Sequence, residues 1–300
     1  MEQITYFRNM EMLSWLGYFS NRMDVSPENI HIMNICQKMK NVIPLIEAHR
    51  RVLIFACEKN RELLFQLWEA GMGGLRVWYG FGAAPGGEVR EADVKSIVGL
   101  EIAGPVVFFF DNETTRESYR IGIKNENFSR GPIRYVGSEI RAVIMSMLDV
   151  DRQDVICIVN GESIVIEAAI AAASGTIIAV EPDSGSEQSM RENAAKFGVH
   201  NVEIISNLVP GALDDLPTPR LAFLVASDHT EAEIEVLLQK NSHMQFIIYT
   251  LELDVVSNMK NIFDRFGIRN MDVMQIMVSK TNRHNMFVTQ PVPWLISGEK

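Results

Sequence analysis

A chain of 300 residues with 47% hydrophobic and 22% charged content has enough apolar material for two domains that each bury a core, and this composition excludes a disordered protein. Its formal charge of -10 excludes a binder that tracks the nucleic-acid backbone, because such a protein needs a basic face to displace counterions. The charge is uneven, with 13 basic and 15 acidic residues through Ile123 against 15 and 23 from Lys124 onward.

The first residues carry Glu2 and Glu11 among short apolar runs, and the longest mostly apolar stretch, Ile164 to Val180, is broken by Glu167, Ser174 and Gly175. Neither a signal peptide nor a membrane span is expected. Cys36, Cys57 and Cys157 are far apart and form no CxxC pair, so neither a disulfide framework nor a zinc site is expected, and the cytoplasm is the expected compartment. The six histidines have no metal-ligand spacing; no metal is expected.

In chain order, Ile4, Phe7, Leu13 and Leu16 fall at mixed helical spacing before the turn signal Asp24-Val25-Ser26-Pro27. This predicts a helical extension over residues 1–24, packed on its own domain. Val52 to Cys57 reads as a buried strand, Asn60 to Ala70 as a helix ending at Gly71, and Leu75 to Tyr79 as a second strand. The loop carrying Gly80, Gly82, Pro85, Gly86 and Gly87 precedes a weaker helical stretch near Glu91 to Gly99 and a strand from Pro105 to Phe110. Residues 25–123 thus read as a small α/β lobe, with the polar stretch Asp111 to Arg130 as the linker after it.

Ser138 and Glu139 are placed to cap a helix whose Ile140, Val143, Ile144, Met147 and Leu148 share one face. Strand-like runs at Val155 to Val159, Thr176 to Val180, Val202 to Ser206, Leu221 to Val225 and Gln245 to Thr250 alternate with helical runs, as a parallel doubly wound sheet requires. Asp272 to Ser279 and Met286 to Thr289 flank Lys280 to Asn285 as a terminal antiparallel hairpin. Residues 124–300 therefore read as a Rossmann-like domain with the arrangement expected of class I methyltransferases, which strand count alone does not separate from other α/β folds. The turn after its first strand reads Val159-Asn160-Gly161-Glu162-Ser163, with one glycine. A dinucleotide or S-adenosylmethionine loop needs several, because a Cβ blocks the approach of backbone to ligand.

The segments Phe128-Ser129-Arg130-Gly131-Pro132, Glu139-Ile140-Arg141-Ala142-Val143, Ile166-Glu167-Ala168-Ala169, Arg191-Glu192-Asn193-Ala194, Pro210-Gly211-Ala212-Leu213 and Gln290-Pro291-Val292-Pro293-Trp294 form a collinear series. Together they resemble the decarboxylating precorrin-6Y methyltransferases of cobalamin biosynthesis. The resemblance covers residues 124–300. A fainter one makes residues 25–115 similar to the C-terminal lobe of the tetrapyrrole methylase often fused ahead of that enzyme, on Arg51-Val52-Leu53-Ile54 and Leu67-Trp68-Glu69-Ala70-Gly71-Met72-Gly73.

The resemblance implies a cofactor site at Asn160, Gly161 and Glu162, at Glu181 after the second strand, and at Asn207 and Leu208 after the third. Glu162 stands where the family has a small residue, and Asn207-Leu208 where it has Gly-Asp. After the fourth strand Ala226-Ser227-Asp228-His229 replaces a glycine-rich turn, as Lys280 to Asn285 does in the final hairpin. Arg130, Arg134, Lys280 and Arg283 are candidates for an anionic ligand such as a carboxylated tetrapyrrole. Asp228-His229 reads as a polar helix start rather than a catalytic dyad, and no catalytic residue is assigned.

Two readings follow. In the first the chain is a pseudoenzyme with a dismantled S-adenosylmethionine site and no cofactor, acting as a binding, assembly or regulatory partner; the resemblance implies a homo-oligomer, such as the tetramers common in the family. In the second it is an active S-adenosylmethionine-dependent precorrin or cobalt-precorrin methyltransferase with an atypical cofactor loop and a tetrapyrrole substrate. Glu181 serves the second reading if it binds ribose hydroxyls.

Overall fold

A computed structural model describes residues 7–115, 121–129, 131 and 136–300. The chain divides into two compact units, Met1–Tyr119 with Lys196–His200, and Arg120–Ala195 with Asn201–Lys300.

In the first unit, α1 (Asn9–Met23) precedes β1 (His31–Asn34), α2 (Val42–Ala48), β2 (Arg51–Ala56), the short α3 (Leu63–Leu67), β3 (Arg76–Phe81), β4 (Val89–Asp93) and β5 (Val106–Asp111). The sheet order is β1-β2-β5-β3-β4. β1 runs parallel to β2, while β5 is antiparallel to both β2 and β3. One face of the sheet packs on α2 and α3 through residues such as Ile46, Leu64, Leu67, Ile54 and Phe108. The other face is covered by α1, with Trp15 and Phe19 buried against Phe55, Trp78 and Phe109. The Phe19 and Phe109 rings stack at 5.0 Å, and the Trp15 Nε1–H donates to the Gly82 carbonyl at 3.3 Å. A Cβ on Gly80 would stand 2.6 Å from the Trp15 ring, so this glycine lets the indole lie against the strand. The N-terminal helix is thus part of the first unit's core.

The region from Glu91 to Gly99 departs from its helical reading. It holds β4 and a single tight turn at Val94–Ser96. Pairing with β3 decides this: Trp78 lies opposite Glu91, and its Nε1–H donates to Glu91 Oε2 at 3.0 Å. Strand propensity and helix propensity are close for such a mixed stretch, and an open sheet edge settles the choice. β1 and α2, too short for a clear period, went unread in the sequence.

In the second unit, α4 (Ser138–Leu148), β6 (Val155–Val159), α5 (Glu162–Ala171), β7 (Thr176–Val180), α6 (Ser184–Phe197), β8 (Val202–Ile205), β9 (Leu221–Val225), α7 (Thr230–Lys240), β10 (Gln245–Thr250) and α8 (Leu253–Phe266) follow in alternation. β11 (Arg269–Gln275), β12 (Ser279–Thr281), β13 (Phe287–Thr289) and β14 (Trp294–Glu299) end the chain. The main sheet has the order β11-β14-β10-β9-β6-β7-β8. Six strands, β6 to β11, run in one direction, and β14 enters antiparallel between β10 and β11.

The hairpin that the turn residues suggested forms at its tip, where Ser279–Thr281 pairs antiparallel with Phe287–Thr289, but the longer arm from Asp272 pairs elsewhere. β11 pairs with β14 rather than with residues near Met286, and β12 and β13 form a separate two-stranded sheet. Hydrophobic complementarity explains the exchange: Leu295 and Ile296 of β14 are fully buried, whereas every residue of β12 and β13 is exposed. The strand able to bury apolar area takes the central position. Each such side chain contributes roughly 1.5–3 kcal/mol.

Candidate functional site

β6 pairs with β7 on one side and β9 on the other. The chain therefore winds outward through β7 and β8, then reverses to β9 and β10. In open α/β sheets this switch point, at the C-terminal ends of the strands, is where ligands bind.

The loop leaving β6 is built from its own sequence. Asn160 adopts a left-handed conformation, φ 55°, which Asn tolerates better than most residues. Its N–H donates to the Val180 carbonyl at 3.0 Å, holding the loop to the end of β7. A Cβ on Gly161 would lie 2.3 Å from Ile158 Cγ2 and 3.3 Å from Phe223 Cδ1. The loop's single glycine is required by packing against the core, independently of any ligand.

Glu162 opens α5 and is 5% exposed. Its carboxylate is tucked against the backbone at Gly131, where a Cβ would meet its two oxygens at 3.2 and 3.3 Å and Ser189 Oγ at 2.9 Å. An acid at this place interacts favourably with the positive end of the helix dipole.

Glu181 follows β7 and is 1% exposed. Oε1 accepts from the Asp183 N–H at 3.3 Å. Oε2 is buried without a hydrogen-bond partner among the described residues. Burial pushes this carboxyl above the usual carboxylate range; the Asp183 N–H opposes the shift, and the charges of Asp183 and Glu187 add to it.

The other candidates are dispersed. Asn207 is exposed, while the Leu208 side chain packs in the core with Leu213 and Leu224 and serves packing. Lys280 is ion-paired with Glu139 at the start of α4, and this contact lowers the Glu139 pKa. Arg283 is in the turn joining β12 and β13. Arg130 and Arg134 lie outside the described residues. The structure thus brings Asn160, Gly161, Glu162 and Glu181 to adjacent loops of one sheet edge.

At the β9 end, the Ser227 N–H donates to Thr230 Oγ1 at 2.8 Å and the His229 N–H to Ser227 Oγ at 3.1 Å. These hydroxyls shape the start of α7. Glu233, one turn further on, is buried, and its Oε2 has no partner among the described residues. Burial raises its pKa and nearby His229 opposes this. Burial and then the charge of Glu233 push the Cys157 thiol up to about 12.

Sequence reasoning missed a buried polar network that orients α5. Arg141 and Glu167 are both wholly buried, and the Arg141 Nε–H donates to Glu167 Oε1 at 2.5 Å. The N–H groups of Gly122 and Ile123 donate to Glu167 Oε2 and Oε1 at 3.0 and 2.8 Å. Arg141 Nη1 reaches Asn125 Oδ1, the Val136 carbonyl and Ser163 Oγ, and the guanidinium lies 4.8 Å from the centre of the Phe128 ring. Further along, Asn193 exchanges two hydrogen bonds with the Ser129 backbone. Residues 121–129, read as part of a linker, are a strap bound to α4, α5 and α6. The available signal was Glu167 inside an apolar run, since a buried acid requires a partner. Among the described residues no cluster suits a metal ion and no helix is long and apolar enough to cross a membrane.

A parallel sheet with one inserted antiparallel strand and a ligand edge at its switch point is the Rossmann-like architecture of class I methyltransferases. Within that class the chain belongs to the precorrin methyltransferase domain family, which matches residues 134–287. It is similar to the probable cobalt-precorrin-6B C(15)-methyltransferase (decarboxylating) of Methanocaldococcus jannaschii, 27% identical over 158 residues that cover 52% of this chain and 85% of that one. Its counterpart in Saccharolobus solfataricus is 24% identical over 192 residues, 60% of this chain and 96% of that one. The crystal structure of precorrin-6Y C5,15-methyltransferase from Geobacter metallireducens superposes with a TM-score of 0.56 at 25% identity, over 60% of this chain and 97% of that one.

Proposed function

We propose that this chain is a non-catalytic member of the family, acting as a binding, assembly or regulatory partner. The observation that carries this reading is the buried Glu162 carboxylate at the first turn of α5. S-adenosylmethionine would bring its amino-acid end to the loop between β6 and α5, where the Glu162 side chain already fills the space beside Gly131 and Ser189. The fit is divided. Glu181, with a buried oxygen lacking a partner among the described residues, suits a ribose; the β6–α5 loop does not suit the amino-acid end.

For assembly, the surface that stands out is β12–β13 with the neighbouring Met277. Phe287 is 78% exposed, and Met277, Met286 and Val288 are exposed with it. A two-stranded hairpin is marginal in water by itself, and β11 is the outer strand of the main sheet, with no further strand on its far side among the described residues. A second copy of this chain is the occupant we assign, giving a homo-oligomer. A cytoplasmic setting accords with three free thiols, all buried.

The second reading, an active S-adenosylmethionine-dependent precorrin methyltransferase, is favoured by Glu181 and by the basic residues near Arg130 and Lys280. Calorimetric titration with S-adenosylmethionine separates the two: absence of binding at millimolar ligand is the expected result, and micromolar binding would overturn the non-catalytic reading.

A further inference from the structure

Cys36 and Cys57 are 21 residues apart in the chain and are neighbours in the sheet of the first unit. β1 runs parallel to β2 with Asn34 opposite Phe55, and the ladder continues past β1, where the Ile35 N–H donates to the Phe55 carbonyl at 2.9 Å. Two residues beyond that register Cys36 stands opposite Cys57, and both side chains enter the same core, on the α1 face of the sheet. Asn60 clips the two strand ends together. Its Oδ1 accepts from the Cys57 N–H at 3.0 Å and its Nδ2 donates to the Ile35 carbonyl at 3.1 Å.

Adjacent strands lie ~4.8 Å apart, and a disulfide spans Cα atoms about 4.4–6.8 Å apart. The Cys57 thiol donates to the Cys36 carbonyl at 3.7 Å, and the Cys36 thiol to the Phe55 carbonyl at 3.6 Å. Burial raises the Cys36 pKa, and the Cys57 thiol, close enough to share a hydrogen bond, adds to the shift. A thiol held protonated reacts slowly, so the pair stays reduced through brief exposure to an oxidant. Cys36 lines an open cavity of about 480 Å³ with Gln37, Lys59 and Asn60, whereas Cys157 is wholly buried in the core of the second unit.

We propose that Cys36 and Cys57 are a reversible redox pair, which closes to an intrachain disulfide under sustained peroxide and fastens the end of β1 to the end of β2. The Cys36 sulfur bonds one peroxide oxygen as the O–O bond breaks, and the other oxygen leaves as water with the thiol proton. The Cys57 sulfur then attacks the sulfenic sulfur; the S–S bond forms, and the hydroxyl leaves as a second water with the Cys57 proton. Two thiols are oxidised and one peroxide is reduced to two waters. A thiol reductant reverses the closure by exchange.

The test exposes the full, folded chain to hydrogen peroxide, unfolds it in urea with N-ethylmaleimide, and maps the non-reduced peptides by mass spectrometry. The expected result is one labelled cysteine, Cys157, in place of three, a peptide pair joined through Cys36 and Cys57, and recovery of all three labels after dithiothreitol. The oxidised chain should also melt several degrees higher, because the link restricts the unfolded state. Cys57→Ala, with folding checked by circular dichroism, shares any methionine oxidation and should show neither the link nor the melting shift; its Cys36 should stop at a sulfenic acid that dimedone captures. Three labels on the peroxide-treated folded chain would overturn the proposal, as would links in which Cys157 takes part as readily as the other two. A linked chain that melts no higher than the reduced one would overturn the fastening of β1 to β2.

Discussion

Arg141 of α4 and Glu167 of α5 form an ion pair in which neither side chain has any exposure to solvent. Each is also satisfied by strap residues: Gly122 and Ile123 donate to Glu167, and Asn125 accepts from Arg141. The pair therefore joins two helices and a nine-residue strap, 121–129, into one unit.

Removing one partner strands the other charge in the core. Arg141→Met should cost about 3–5 kcal/mol of stability, measured by urea unfolding. The strap should become the first site of proteolysis. Replacing both residues by apolar ones of similar volume should restore much of the loss, because a buried pair contributes little net stability when compared with good apolar packing.

Gly161→Ala tests whether the loop's glycine serves the core. The added methyl meets Ile158 and Phe223, and overpacking of this kind costs about 1–3 kcal/mol. A thermal melt of the ligand-free protein should show the loss. An unchanged melting temperature would return this glycine to a purely ligand-facing role.

Two carboxylates give opposite pH signatures. Burial would raise the Asp154 pKa, but hydrogen bonds from Arg220 and the Asp151 N–H more than offset this and lower it. Its stabilisation is present above the ordinary carboxylate range and is lost as pH falls through the depressed value. Arg220→Met should therefore reduce stability at neutral pH, by up to about 1 kcal/mol for a pair that is half exposed, and the difference should fade in acid.

Glu181 runs the other way. Its pKa is raised, mainly by burial, so the folded state holds its proton longer than the unfolded state. Stability then falls as pH rises from the ordinary carboxylate range through the raised value. Glu181→Gln should make the ligand-free protein more stable at neutral pH, with the gain vanishing below the ordinary range. Chemical denaturation at several pH values measures both signatures.

If β12–β13 mediates self-association, Phe287→Asp should lower the mass seen by light scattering and leave the melting temperature of the monomer nearly unchanged, because the side chain is exposed. An unchanged mass would remove this hairpin from the interface.

The alternation of apolar and helical runs from Val155 to Thr250 was legible because each element is long enough to show its period. The site was legible in part. Glu162 and Glu181 are conspicuous as acids at the ends of apolar strands, but their burial depends on what covers them. Leu208 looked equally placed in the sequence and turns inward to the core. Arg141 and Glu167 are 26 residues apart and are joined by helix packing alone.

Local pattern by itself determined the parallel α/β architecture of residues 155–250 and the composition of the β6–α5 loop, because side-chain period and glycine content are properties of neighbouring residues. Tertiary structure decided which strand joins the sheet after β10, whether Gly161 answers to ligand or core, and which carboxylate is left with an unused oxygen. Those outcomes turn on burial and on hydrogen-bond partners from distant segments, and a linear chain specifies these only once it has closed on itself.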